Sequence, residues 1–370
     1  MNVLEFTWYY IVPFLFVLTV LVYVHEWGHY WVARQNNVRV EVFSIGFGPE
    51  IFGWNNAAGM RWKIGAIPFG GYIKMFGESE TFGEGEEQRP LTPEERAVSF
   101  HFKSLGQRAA VVAAGPIANF LLAIVLFAGL VMTYGVPHHY AAIGEILPKS
   151  AAADAGFKIG DRITSVDGET ITWFTDLVRI VSVKPGVPLK FGVLRADQDL
   201  IVQATPKKFQ RTGEDGSTVD VGLLGVRYDP KQAAYERQNP MLAVWIGAQQ
   251  TALLTGNILS YIGQIIVGNQ KADDLGGPIR IAKMSGQMAQ GGLENLIFFM
   301  AALSVNLGLI NLFPIPLLDG GHLLFYGAEA LRGRPLGPRA QEYGFRIGLA
   351  LVLSLMVFAT WNDLGHFGLF

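Results

Sequence analysis

The chain has 370 residues, 50% of them hydrophobic and only 16% charged, against roughly 25% charged in an average soluble domain. A net charge of −2 leaves no nucleic-acid footprint, and the absence of cysteine excludes disulfides and every zinc site built with thiolates. The composition points to a membrane protein, any exported part of which folds without disulfide staples.

The first apolar run extends from Phe6 to about Ala33 and has no charged side chain before His25. No basic stretch precedes it and no small-residue cleavage site follows it, so it reads as a first transmembrane helix (1–37) rather than a signal peptide. It ends in "VYVHEWGHYW", Val22–Trp31, which carries H-E-x-x-H. On a helix His25 and His29 stand one turn apart, about 6 Å along the axis, and face the same way. Neutral imidazoles suit zinc, and Glu26 is then placed to take a proton from a water on the metal. An ionisable side chain inside a span costs about 2.5–3.5 kcal/mol, so three clustered ones need a reason such as a metal site.

A third ligand has to come from elsewhere, because position 35, where a metzincin places its next histidine, is Gln35. Glu41 and Glu50 fall in the following region, 38–76, where "VRVEVF", "EIFGW" and "MRWKIGAI" read as strands of a membrane-associated β region. An exposed edge of such a sheet could pair with an unwinding substrate; otherwise the sheet simply roofs the site. Residues 77–104 read as a cytoplasmic loop, acidic and rich in glycine and proline over 77–96.

The second span, Ala109 to about Tyr134 within 105–134, carries Gly115, Pro116 and Asn119, which read as packing residues. An exported segment, 135–231, follows. Residues 238–270 lack charges but are interrupted by Gln249, Gln250, Thr251, Asn257, Ser260 and Gln264. They read as amphipathic interfacial helices within 232–290 rather than a fifth span.

The third span, Asn295 to about Phe313 within 291–331, runs into "NLFPIPLLDGGH", residues 311–322. Pro314 and Pro316 break the helix there, placing Asp319 on irregular backbone near membrane depth. Such backbone is tolerated only under cover of protein or a water-filled cavity. A carboxylate in that position is the best third metal ligand, with His322 as a rival. The last segment, 332–370, holds a loop and a fourth span from about Tyr343 to Trp361.

Arg332, Arg334, Arg339 and Arg346 against Glu342 alone make the loop between spans three and four cytoplasmic. Both termini and the 135–231 segment then face outward. His25 and His29 lie five to nine residues before Arg34, about 7–14 Å deep on the cytoplasmic side. Asp319 follows an inward-going span and reaches the same leaflet, which a fifth span would prevent.

Together these motifs resemble the site-2 protease family of intramembrane zinc proteases, most closely the bacterial group that regulates the envelope stress sigma factor. Further pieces in matching order are "FSIGFGPEIFGW" at 43–54, "IGAIPFGGYIKMFGE" at 64–78, "AAGPIANF" at 113–120 and "LGGPIRIAKMSG" at 275–286. The resemblance implies Zn²⁺ on His25, His29 and Asp319, base catalysis by Glu26, and substrate handling or site geometry for Asn311, Pro314 and Pro316. It also implies a fold: a polytopic α-helical membrane protein with four transmembrane helices, a membrane-associated β-sheet region and one inserted α+β domain.

That inserted segment resembles a PDZ domain through "AAIGEILPKSAAADAGFKIGDRITSVDGETI", 141–171, with further strands at 189–195 and 200–204. A PDZ domain adds a peptide as a strand and captures a C-terminal carboxylate, here near the 142–145 loop; the other reading is a steric shield over the site. Better-known relatives carry two PDZ domains in tandem, and only one fits into 135–231.

The expected function is therefore cleavage of single-pass membrane proteins within or near their transmembrane segments in the bacterial inner membrane. An anti-sigma factor already trimmed outside the membrane is the expected substrate, with signal-peptide remnants as another. The alternatives are an inactive membrane PDZ adaptor, against which the intact set His25, Glu26, His29 and Asp319 argues, and a zinc carrier, for which the spans lack polar groups.

Overall fold

The computed structural model describes residues 3–57, 59–77, 91–212, 218–270 and 276–366, so most of the acidic loop expected at 77–96 lies outside the described residues. The chain divides into two compact units, Met1–Leu130 with Asn239–Phe370, and Val131–Gln238.

The first unit opens with a short helix α1 (Val3–Phe6), a π-helical turn (Thr7–Ile11) and α2 (Val12–Gln35). The buried positions of α2 recur at helical spacing from Phe14 through Leu21, His25 and His29 to Ala33, so one face packs inward. The opposite face leaves Phe16, Trp27 and Trp31 exposed, as a helix facing lipid does. Asn36 stops the helix by donating its side-chain amide to the Val32 carbonyl, and Asn37 turns the chain at φ 54°.

Strands β1 (Val40–Asn55) and β2 (Arg61–Met75) fold back on themselves. Residues 40–45 pair with both 71–75 and 61–64, while 50–55 pair with 61–65, giving the side-by-side order 71–75, 40–45, 61–64, 50–55. The segment Gly71–Ile73 is therefore an edge, and it crosses α2. A Cβ on Gly71 would touch Val22 and Glu26, so the missing side chain is what lets the edge approach the helix.

A short helix α3 (Pro93–Val98), closed by a Thr92–Glu95 capping box, leads to α4 (Leu105–Thr133). The small residues of α4 make a close crossing with α2: a Cβ on Gly28 would collide with the Ala114 carbonyl and Ala118, and one on Gly115 with the His29 ring.

The second unit contains β3 (Val136–His139), β4 (Ile143–Ile146), α5 (Ala151–Asp154), β5 (Arg162–Val166), β6 (Glu169–Thr170), α6 (Phe174–Ser182), β7 (Leu189–Arg195), β8 (Gln198–Ala204), β9 (Lys207–Thr212), β10 (Thr218–Leu223), β11 (Val226–Tyr228) and β12 (Ala233–Glu236). Its largest sheet is antiparallel in the order β6-β5-β7-β8, with smaller pairs β4–β11, β9–β10 and β3–β12. Alternate residues of β7, Leu189, Phe191 and Val193, point into a core that Leu177, Ile180 and Val181 of α6 cover from the other side. Each such side chain contributes roughly 1.5–3 kcal/mol by burial.

Asp161, 1% exposed at the start of β5, accepts two hydrogen bonds from the Arg195 guanidinium at 2.7 Å each and one from the Lys158 N–H at 2.8 Å. Burial pushes its carboxyl upward, but Arg195 and the Lys158 N–H outweigh that and hold it below the usual carboxylate range. The stabilisation is therefore present above the ordinary aspartate pKa of about 3.9 and is lost as pH falls through the lower folded value. Asp161→Asn is expected to cost about 2–3 kcal/mol at neutral pH and to remove this acid dependence. Hydrogen exchange at the Lys158 and Ile163 amides of the full-length protein measures both.

The first unit resumes with α7 (Pro240–Ile266), α8 (Pro278–Gln290), α9 (Leu293–Leu312), α10 (Asp319–Arg332) and α11 (Pro338–His366). Four helical stretches among the described residues are long and apolar enough to cross a membrane: Thr7–Gln35, Leu105–Thr133, Leu293–Leu312 and Pro338–Gly365. The α7 segment falls outside that set. It is one continuous helix rather than several, running through Gly247, Gly256 and Gly263, and its Gly247 packs on Ile124 and Ala128 of α4. Asp363 of α11 accepts the backbone N–H groups of Gly277, Ile279 and Arg280 at 2.8, 3.0 and 3.0 Å, so a carboxylate from one helix closes the N-terminus of α8.

Candidate metal centre and active site

The residues of the candidate centre come from the two ends of the first unit. His25 and His29 project from the buried face of α2, and Asp319 is the first residue of α10. The irregular backbone expected around Asp319 lies just before it, at 313–318, between the end of α9 and the start of α10. Gly320 and Gly321 fix that start: a Cβ on either would collide with the backbone of Leu312 and Phe313 or of Ile315 and Pro316. Leu317, two residues before Asp319, has φ 104°, a strained conformation for a bulky residue that the packed turn imposes.

His25 Nε2 and His29 Nε2 lie 3.2 Å apart, and Asp319 Oδ2 is 3.2 Å from the first and 3.5 Å from the second. A tetrahedral ion bound at about 2.0–2.1 Å needs ligand separations of about 3.3–3.4 Å, which is what these three atoms offer. His29 Nδ1 is 2.9 Å from the Val111 carbonyl, which can only accept. That nitrogen therefore carries the proton, and Nε2 turns a lone pair toward the other two atoms. Asp319 Oδ2 is buried beside the two Nε2 atoms with no hydrogen-bond donor among the described residues. Two imidazole nitrogens and a carboxylate oxygen converging on one buried point make a candidate cation site, and three such ligands leave a fourth position for water or substrate.

That position opens on a cavity of about 680 Å³ lined by His25, Glu26, His29, Asn311, Asp319 and His322 together with the edge residues Gly70–Ile73. Glu26 is 8% exposed and accepts a hydrogen bond from the Ile73 backbone N–H, so the sheet edge and the carboxylate share one wall. His322, one turn beyond Asp319, packs its ring at a tilt against Phe345, with centroids 5.4 Å apart, and stands outside the three-residue ligand group. Glu50 pairs with Arg61, and Glu41 with Arg39 and Lys74, so both rival carboxylates are engaged on the sheet. Pro314 and Pro316 shape the turn rather than line the cavity, and Pro316 packs where Gly344 and Gly348 leave room on α11.

Asn119 has a place that the sequence reading does not give it. It is fully buried, and its side-chain amide lies 3.1 Å from His25 Nδ1. The available signal was a lone amide in an apolar span, on the same face as Gly115 and one turn from it.

The model of Peptidase family M50 matches residues 13–355. This chain belongs to Peptidase family M50. The family is that of the site-2 proteases, and the chain is accordingly a metalloprotease. A protein of Agrobacterium fabrum whose name assigns it provisionally to the zinc metalloproteases is 45% identical over 96% of this chain and 95% of its own length. A similarly named Rhizobium meliloti protein is 46% identical over 96% of both chains. Metalloprotease MmpA of Caulobacter vibrioides is 37% identical over 97% of this M50 chain and 96% of its own. Among solved structures, the PDZ domain of an SdrC-like protein from Listeria innocua is similar over 27% of this chain and 99% of its own, at 13% identity and a TM-score of 0.20.

Proposed function

We propose that the chain is an intramembrane zinc endopeptidase that hydrolyses peptide bonds within or near the transmembrane segments of single-pass proteins. The observation that carries this reading is the position of the ligand set. His25, His29 and Asp319 converge on a cavity walled by helices that are apolar enough to span a membrane. Zinc is the ion that the two imidazoles and one carboxylate suit, and the names of the relatives agree with it. Bound there, the ion would lower the pKa of a coordinated water to about 7 and polarise the scissile carbonyl.

The protein's own groups do the rest. Glu26 accepts the proton of the attacking water and returns it to the leaving amine. The edge segment Gly71–Ile73 offers main-chain groups beside Glu26, and an unwound stretch of substrate pairs with it as an added strand. Asn311 lines the same cavity and is placed to bond a substrate amide that has lost its helical partner. Pro314 and Pro316 hold the turn that presents Asp319.

The setting we propose is the bacterial inner membrane, with both termini and the second unit periplasmic and the cavity near the cytoplasmic side. The Arg-rich 332–346 connection supports this orientation. We read the second unit as a PDZ domain that takes a C-terminal peptide or filters substrates by size. The substrate class is single-pass proteins already trimmed outside the membrane, an anti-sigma factor among them, and signal-peptide remnants as well.

The test is cleavage in proteoliposomes of a single-pass protein whose membrane helix carries a helix-breaking Gly-Pro pair. Products whose masses place the cut inside the apolar segment are expected, with an intact leucine-only helix cut far more slowly. Cleavage confined to the soluble flanks would refute the intramembrane reading.

A further inference from the structure

The two imidazoles of the site are supported from one helix. His29 Nδ1 meets the Val111 carbonyl at 2.9 Å, and His25 Nδ1 meets the Asn119 side-chain amide at 3.1 Å, both on α4. The stretch between them explains how α4 comes so near. Gly115 leaves space under the His29 ring, where any Cβ would overlap it. Pro116 has no N–H to give the Val112 carbonyl, which loosens the turn from which the neighbouring Val111 oxygen meets His29. The same turn of α4 is held by Ser304 of α9, whose hydroxyl donates to the Asn119 main-chain carbonyl at 2.7 Å. Asn119 is thus pinned through its backbone, and its side chain is left to face His25.

The two ends of that amide make opposite demands on the imidazole. If Nδ2 donates to His25 Nδ1, the ring proton must sit on Nε2, between the histidines and Asp319, where it would block an ion. If Oδ1 faces His25, Nδ1 carries the proton and Nε2 is a lone pair, as His29 Nε2 is. With Nδ2 toward the ring, Oδ1 is buried with no donor; turning the amide gives that oxygen the Nδ1–H and leaves Nδ2 as the unpaired end, so the choice between them rests on the Nε2 lone pair that an ion requires.

We propose, resting on the zinc reading above, that Asn119 is a positioning residue of the metal site: its side-chain oxygen accepts the His25 Nδ1–H and holds the Nε2 lone pair on the ion. The amide plays the part that a carboxylate plays behind many metal-bound histidines. Together with the Val111 carbonyl it makes α4 the helix that sets the tautomer of both ligands on α2.

The experiment uses the full-length protein in detergent and reads metal affinity by competition with a chromophoric chelator, alongside the Co²⁺ absorption spectrum. Asn119→Leu keeps the branched shape and removes the acceptor; zinc is expected to bind about 10–100-fold more weakly, with an altered Co²⁺ spectrum. Asn119→Asp cannot donate but can accept, and is expected to restore affinity and spectrum to near those of the unmodified protein. Unchanged zinc affinity in Asn119→Leu overturns the proposal. So does an Asn119→Asp variant that binds as weakly as the leucine variant, since that would make the donor end the important one. Thermal unfolding of the metal-free proteins separates loss of packing from loss of support: a leucine variant unstable without metal hands the decision to the aspartate variant. Unmodified protein that takes up no zinc would remove the metal reading itself, whereas equal uptake by the unmodified and leucine proteins removes only this inference.

Discussion

Glu26→Gln is expected to leave one equivalent of zinc bound and to lower the rate of peptide cleavage by about 10²–10⁴-fold or more. The reason is positional. Glu26 follows a ligand on α2 but is not itself among the three atoms that converge, and its carboxylate lies against the sheet edge at Ile73 and Gly71. Glutamine has the same length and can still bond the Ile73 N–H through its oxygen, so neither the helix nor the edge has cause to move. What it cannot do is hold the proton that the attacking water must lose. Metal analysis and a cleavage assay on the same preparation check both halves. Undiminished cleavage would rule out Glu26 as the base, and loss of zinc would make it a ligand or a structural prop.

Asp319→Ala is expected to strip the site of its third ligand. Zinc affinity should fall by more than the 10–100-fold typical of changes behind the ligands, since a direct bond and the only carboxylate among the three ligands are removed together. The substitution is gentle toward the fold. Asp319 is the first residue of α10, and the packing that seats this helix belongs to Gly320 and Gly321. Zinc content of the purified variant, with helical content as the control, decides the matter. Full occupancy would transfer the third position to His322, which lines the same cavity one turn further along.

How much of this could be read from the sequence follows from the range of the forces involved. The four helices apolar enough to span a membrane are written in long apolar runs, and H-E-x-x-H is legible because His25, Glu26 and His29 share one helical turn. Asp319 is legible for a different reason: a carboxylate after a proline-broken span is too costly to be accidental. The partnership between α4 and the two imidazoles was not legible, because it depends on where Gly28 and Gly115 let two helices cross, and a backbone carbonyl such as Val111 leaves no trace in residue type. Glu50 looked like a possible ligand until its pairing with Arg61 across a folded-back hairpin was known. That register is irregular, with several shifts along β1, and no alternation of residue types predicts it.

The wide separation of the ligands along the chain carries a consequence for how such a protein is made. About 290 residues lie between His29 and Asp319, and a ribosome adds them in roughly 15–60 s. On the proposed reading, α2 already carries Glu26 and two imidazoles throughout that interval, yet the nascent protein holds too few ligands to arm them. On the same reading, hydrolytic power arrives only when α10 packs beside α2 and Asp319 joins the two imidazoles. Zinc retention thereby becomes a direct report of completed assembly.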